Sequence, residues 1–175
     1  MENAELWACL VSGREGNLPR QGDGQVDLRG LHAPTPVVTK HRVAGLERMD
    51  NLLTIRDGNW NALDMSRARL DSLRFFETTI ADCSFDHAKC HDWRLWGSTV
   101  QRTSFRHANL RRSVLGGVDT RYRTNSFVDV DFSKADFRQT VHRSATYTRC
   151  KFTETNLTKV DFDGSVFVDC VFAGG

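Results

Sequence analysis

ARLDS LRFFE TTIAD CSFDH AKC, residues 68–90, is the stretch that decides the fold. Divided into fives, it places Leu70, Phe75, Ile80, Phe85 and Cys90 at the centre of successive units, and Ala68, Cys83 and Ala88 two residues before a centre. The remaining three positions of each unit are mostly polar. The same beat runs back through Met65 and Trp60 to Ile55, and forward through Leu95, Val100, Phe105 and Leu110 to Leu115. It resumes at Tyr122 and continues through Phe127, Phe132, Phe137, His142, Tyr147, Phe152, Leu157, Phe162, Phe167 and Phe172. A period of five is neither the 3.6 of a helix nor the 2 of a simple strand. It is an internal repeat, and the architecture follows from the repeat unit.

Two inward positions in every five suit a short extended segment followed by a turn of about a right angle. Four such units close a square coil of twenty residues, and coils stack at the parallel-strand spacing of about 4.8 Å. The expected fold is all-β: a parallel β-helix solenoid of about six coils, roughly 29 Å long. Centres twenty residues apart form columns, such as Phe75, Leu95 and Leu115, or Met65, Phe85 and Phe105. A helical bundle would need apolar spacings of three and four, which these residues do not show.

The units Ala68-Arg69-Leu70-Asp71-Ser72, Ala108-Asn109-Leu110-Arg111-Arg112 and Ala135-Asp136-Phe137-Arg138-Gln139 follow the pattern Ala-Asp/Asn-Leu-X-X. Val130-Asp131-Phe132, Thr155-Asn156-Leu157 and Val160-Asp161-Phe162 come close to it. In this pattern the chain resembles the pentapeptide-repeat family over residues 53–174. The resemblance implies a right-handed quadrilateral β-helix, a handedness that the spacing alone does not set. It also implies two functional expectations. Members often dimerise, and one branch protects DNA gyrase and other type II topoisomerases by mimicking duplex DNA.

Residues 1–50 break the beat and hold all three prolines, Pro19, Pro34 and Pro36. They are expected to form an irregular, partly helical amino-terminal cap on a solenoid of residues 51–175. Asn3 to Leu10 reads as a short helix with Asn3 as N-cap, its Leu6, Trp7, Leu10 and Val11 covering the first coil. Val26-Asp27-Leu28 and Ala44-Gly45-Leu46 read as degenerate units. Seven residues separate Leu115 from Tyr122 instead of five, which predicts a corner insertion at 116–119 with Tyr122 as the next inward centre. No apolar run approaches the ~20 residues of a membrane span, and no export segment follows Met1. Cys83, Cys90, Cys150 and Cys170 fall on inward positions and read as small hydrophobes of a cytoplasmic protein.

Stacking gives distant residues a shared exterior address. Arg56, Phe76, Trp96 and Gly116 form one outward column, which makes Phe76 and Trp96 candidates for a protein-binding patch. Arg67, His87 and His107 form another, expected to continue as Asp129, Arg149 and Asp169. His87 and His107 read as surface histidines rather than metal ligands. Val128, Thr148 and Val168 make a mildly apolar column. His142 is the one polar centre, expected between Tyr122 and Phe162 with Tyr122 as its hydrogen-bond partner. No nucleophile–base pair, phosphate loop or cofactor-binding motif is present, so the chain reads as a non-enzymatic protein-interaction scaffold.

Charge weighs the partners. Residues 53–174 carry 18 Lys/Arg and 15 Asp/Glu, the wrong sign for a DNA mimic. From residue 154 onward, however, Glu154, Asp161, Asp163 and Asp169 face only Lys159. Asp161 and Asp163 are therefore candidate contacts for a basic groove such as that of DNA gyrase. Phe167 and Phe172, in the last coil, are candidate residues of a homodimer interface. Direct nucleic-acid binding is a third reading, carried by Arg69, Lys89, Arg111 and Arg112.

Overall fold

The computed structural model describes residues 2–34, 37–39, 48–50, 52–117 and 121–174. They form a right-handed quadrilateral parallel β-solenoid of about six coils with a small amino-terminal helical region. The four faces are numbered here from their first centres: face 1 from Ile55, face 2 from Trp60, face 3 from Met65 and face 4 from Leu70. Face 2 is the most regular. Its strands Asn59–Asn61, Thr79–Ala81, Thr99–Gln101, Ser126–Val128, Thr146–Thr148 and Val166–Val168 stack in register as one six-stranded parallel sheet. Face 1 is a five-stranded sheet of Thr54–Arg56, Arg74–Phe76, Arg94–Trp96, Val114–Gly116 and Val141–His142. Faces 3 and 4 are held by single bridges, from Asp64 to Val171 and from His32 to Asn156 respectively.

The corners explain why five residues suffice for a side. Two residues after each centre, the backbone enters the left-handed region, at Asp57, Ala62, Arg67, Ser72 and on through Lys159 and Asp169. Among the described residues, glycine serves at three such corners, Gly97, Gly164 and Gly174. A left-handed residue with a Cβ costs roughly 1–2 kcal/mol, so packing and hydrogen bonding around each corner must offset it. The position two before the centre supplies part of that. Thr78, Ser98, Thr103, Ser113 and Thr155 are buried and donate their hydroxyls to backbone carbonyls near the corner. Cys83 and Cys150 donate their thiols in the same way. Burial pushes both thiols up to about 12, so they remain protonated donors.

Inside, the columns are aromatic. On face 3, Phe85, Phe105, Phe132, Phe152 and Phe172 stack with successive centroids 4.8, 5.5, 5.3 and 4.7 Å apart. Each stacked pair adds roughly 0.5–1.5 kcal/mol beyond simple burial. The helix Asn3–Val11 closes the first coil. Trp7 and Leu10 are buried, Leu6 and Val11 pack partly buried against the core, and the Trp60 indole N–H donates to the Leu10 carbonyl at 3.1 Å. The N-cap is Glu2 rather than Asn3, with the Glu2 N–H donating to the Glu5 carboxylate at 3.3 Å. Val26-Asp27 pairs in parallel with Leu63-Asp64, so this early segment is already a coil. Between it and face 1, Val37–Thr39 and Arg48–Asp50 form an antiparallel pair. The proposed unit Ala44-Gly45-Leu46 and Pro36 lie outside the described residues.

One expectation about phase is corrected. Val100 pairs with Phe127, which therefore takes the place below Val100 on face 2. Tyr122 is not an inward centre: it stands outside the core, its ring 5.6 Å from that of Phe76. The excursion after Leu115 is thus seven residues longer than a regular unit, not two, and its residues Val118 and Asp119 lie outside those described. Tyr122 is five residues before Phe127, so it keeps the beat by coincidence of spacing. The displaced columns follow. His107 is succeeded by Lys134, and the column containing Asp129, Arg149 and Asp169 is preceded instead by Asp82 and Arg102. His142 lies in the coil below Leu115, not below Tyr122.

Candidate functional site

Face 1 builds its exterior from strands that alternate inward and outward. The inward residues Ile55, Phe75 and Leu95 are buried, so their neighbours Arg56, Phe76 and Trp96 must project outward, in register. Phe76 and Trp96 stack face to face, centroids 4.3 Å apart and planes within 6°. The Arg56 guanidinium caps Phe76 at 4.0 Å from its centroid. Both rings are half-buried rather than freely exposed, because stacking and the Tyr122 ring shield them. The insertion is anchored here. Arg123 donates to the Gly97 carbonyl at 3.1 Å, and Asn125 is buried, with its amide donating to the carbonyls of Leu95 and Leu115 at 2.9 Å each. Sequence reasoning missed Tyr122 as a member of this surface, since its five-residue phase disguised it as core. The pair Gly116-Gly117 marks where the chain leaves the coil but not where it returns.

The ladder sits beside a basic corner. Asp92 is shared by Arg74, at 3.3 Å, and Arg94, at 2.8 Å. Burial lowers the Arg74 guanidinium's pKa, and Asp92 partly offsets that. Arg56, Arg69, Lys89 and Arg112 are exposed and form no ion pair among the described residues. The Nε of Arg111 is shielded from solvent without an acceptor among them.

The other charged columns are self-neutralising. Asp82, Arg102, Asp129, Arg149 and Asp169 alternate along one corner, with Asp82–Arg102 and Asp129–Arg149 each paired at 2.7 Å. The arginine hydrogen bonds hold both paired carboxyls below the usual carboxylate range. Asp161, a candidate contact, is tied to Arg143 at 2.6 Å. The Asp163 backbone N–H lowers its pKa first, and Arg143 lowers it further. Asp163 itself is exposed, and Glu154 lies 3.6 Å from Lys134. Asp161 and Asp163 are near one another but distant from the aromatic ladder along the rod.

At the far end, Val166, Val168, Val171 and Phe172 are exposed by 43–52 % of their surface, and Phe167 is half-buried. Interior centres such as Phe85, Phe105 and His142 donate their N–H to carbonyls of the following coil.

His142 is fully buried. Its Nδ1 meets the Tyr147 hydroxyl, and its Nε2 meets the Thr140 hydroxyl at 2.9 Å, so both ring nitrogens are satisfied within the core. Burial depresses its pKa to about 3. Tyr122 is not its partner. His87 and His107 are exposed and stack with centroids 4.6 Å apart. Among the described residues, no group of three or more metal-ligating side chains converges. Nor is any described helix long and apolar enough to cross a membrane.

Residues 131–174 match the family model for pentapeptide repeats, in eight copies. No curated protein matches the chain in sequence. Among solved structures, it is similar to the pentapeptide repeat protein Rfr23 from the cyanobacterium Cyanothece 51142, at 13% identity and a TM-score of 0.40, over 83% of this chain and 87% of that one. It is also similar to HetL, a pentapeptide repeat protein involved in heterocyst differentiation regulation from Nostoc sp. strain PCC 7120. There the identity is 14% and the TM-score 0.33, over 67% of this chain and 65% of that one. A trypsin-treated form of QnrB1, a plasmid-mediated fluoroquinolone resistance protein, gives 14% identity and a TM-score of 0.30, over 82% and 90%. Residues 131–174 match the pentapeptide repeats, and strand register carries their five-residue phase back to Ile55.

Proposed function

We propose that this chain is a non-enzymatic interaction scaffold that recognises a macromolecular partner through face 1. One observation carries the reading: the Arg56–Phe76–Trp96 stack, closed on one side by Tyr122, stands half-exposed on face 1. Aromatic and arginine side chains are the residue types that most often dominate binding energy. The interior is filled by side chains, so the solenoid works through its outside. Affinity capture with wild type and with Phe76→Ala/Trp96→Ala tests the reading. Loss of the captured partner in the variant supports it, provided circular dichroism shows the fold intact. Equal capture by both proteins overturns it.

A second reading is protection of DNA gyrase or another type II topoisomerase, favoured by the local acidity of the last coil, where Glu154, Asp161, Asp163 and Asp169 outnumber Lys159. The ion pairs of Asp161 and Glu154 reduce the free negative charge there. A supercoiling assay with and without a quinolone, titrated with this protein, tests it. Dose-dependent recovery that is lost in Asp161→Asn/Asp163→Asn supports acidic mimicry, and no effect on supercoiling or cleavage removes it for that enzyme. The same coil is proposed to pair end to end with a second copy through Phe167 and Phe172, covering the exposed Phe172 and Val171.

A further inference from the structure

The positive charge of the solenoid is not spread evenly. Faces 1 and 4 share a corner, and between Leu53 and Asn125 these two faces and the insertion carry nine arginine or lysine residues against five carboxylates, Asp119 included. Over the same coils, faces 2 and 3 carry three of each sign. Residues 126–174 hold six cations and seven carboxylates. The basic excess therefore lies on faces 1 and 4 and the insertion, and the aromatic stack stands on face 1.

We infer that the ridge where faces 1 and 4 meet binds single-stranded nucleic acid, the phosphates meeting Arg56, Arg69, Lys89 and Arg112 and a base stacking at Trp96. The inference rests on the reading of face 1 as the recognition surface and names its partner. Three observations favour a polyanion with stacking rings over an acidic protein. First, the exposed cations lie in columns: Arg69 and Lys89 bridge in register on face 4, and the Arg112 carbonyl accepts from Arg94 across the corner. They line a path along the rod rather than a compact patch. Second, cations border the rings, with Arg56 over Phe76 and Arg121 5.8 Å from the Tyr122 centroid, whereas protein interfaces deplete charged residues at their centres. Third, Trp96 is stacked by one described ring, that of Phe76, and remains half-exposed. Sequence-tolerant single-strand binding uses this combination of a basic track and aromatic platforms. A flexible single strand can also follow a convex corner that a stiff duplex meets at only a few phosphates.

The test is fluorescence anisotropy of a labelled mixed-sequence single-stranded DNA of about twenty nucleotides, with duplex of the same sequence and poly-glutamate as comparators. Neutralising four phosphates predicts that affinity falls about fifty-fold between 50 and 200 mM salt. Trp7, Trp60 and Trp93 are buried, so quenching of tryptophan emission on binding reports Trp96, and Trp96→Phe removes the quench. Arg56→Ser/Arg69→Ser/Lys89→Ser/Arg112→Ser is expected to weaken binding more than tenfold and flatten the salt slope. Lys134→Ser/Lys151→Ser, on the distal coils, leaves it unchanged. Absence of binding at 50 mM salt overturns the inference, as does equal binding by the two multiple variants. Poly-glutamate that binds as tightly, with the same quench, also overturns it and assigns the ridge to acidic proteins. If nucleic-acid binding fails while capture from nuclease-treated extract still depends on Phe76 and Trp96, only the partner assignment falls. If both fail, the surface itself is wrong.

Discussion

Each inward residue owes its burial to a position in the five-residue unit, and its worth can be measured singly. Phe105 lies between Phe85 and Phe132 with almost no exposure. Phe105→Ala is expected to cost roughly 3–5 kcal/mol from lost burial and the cavity left behind. Arg106→Ala, one residue on and exposed, is expected to stay within about 0.5 kcal/mol in urea melts. His142 makes a different prediction. The fold holds it neutral with a pKa of about 3, while the unfolded chain titrates near the ordinary 6.5. Its contribution is therefore fully present above about pH 6.5. As pH falls below that, the unfolded chain takes up a proton the native core refuses, and stability drops by about 1.4 kcal/mol per pH unit until about pH 3. Urea melts between pH 7 and pH 5 should show this decline reduced in His142→Phe. The centres were legible because bulk and period coincide in them. The partners of His142 were not: Tyr147 and Thr140 flank it within its own coil, whereas the expectation looked to the coil above.

At the scale of the element, the corner is the part that sequence conceals. Among the described residues, nineteen other than glycine occupy the left-handed region with no common chemistry, from Ala62 to Arg149 and Lys159. Sheet pairing and the buried hydroxyls beneath impose that conformation, rather than the residues' own preference. Ala62, which has no polar side chain to bond locally, is the informative case: Ala62→Gly is expected to stabilise by about 1 kcal/mol, relief of strain exceeding the added chain entropy. A melting temperature at or below wild type would show that the corner is not strained. The insertion teaches the complementary lesson. Face 2 was legible as a column of Trp60, Ile80 and Val100, but its continuation at Phe127 is established by strand pairing, because Tyr122 fits the same period.

For the molecule as a whole, register converts a nearly neutral sequence into a polarised rod. Alternating columns such as Asp82–Arg102 and Asp129–Arg149 cancel locally, and the faces 1 and 4 ridge keeps its excess. Summed charge reads only the total; Arg69, Lys89, Arg111 and Arg112 were legible from the repeat, and phasing the insertion added Arg123 beside Gly97. The exposed Phe172 and Val171 carry a separate prediction. Size-exclusion chromatography with light scattering should find a homodimer that Phe172→Asp converts to monomer, and a wild-type monomer over the working concentration range would remove the end-to-end pairing. Recognition through face 1 is tested most directly by hydrogen–deuterium exchange of the protein with and without its captured partner. The account predicts new protection in the strands Thr54–Arg56, Arg74–Phe76 and Arg94–Trp96 and in the residues around Tyr122. Protection confined to residues 154–174, with these strands unchanged, would contradict it.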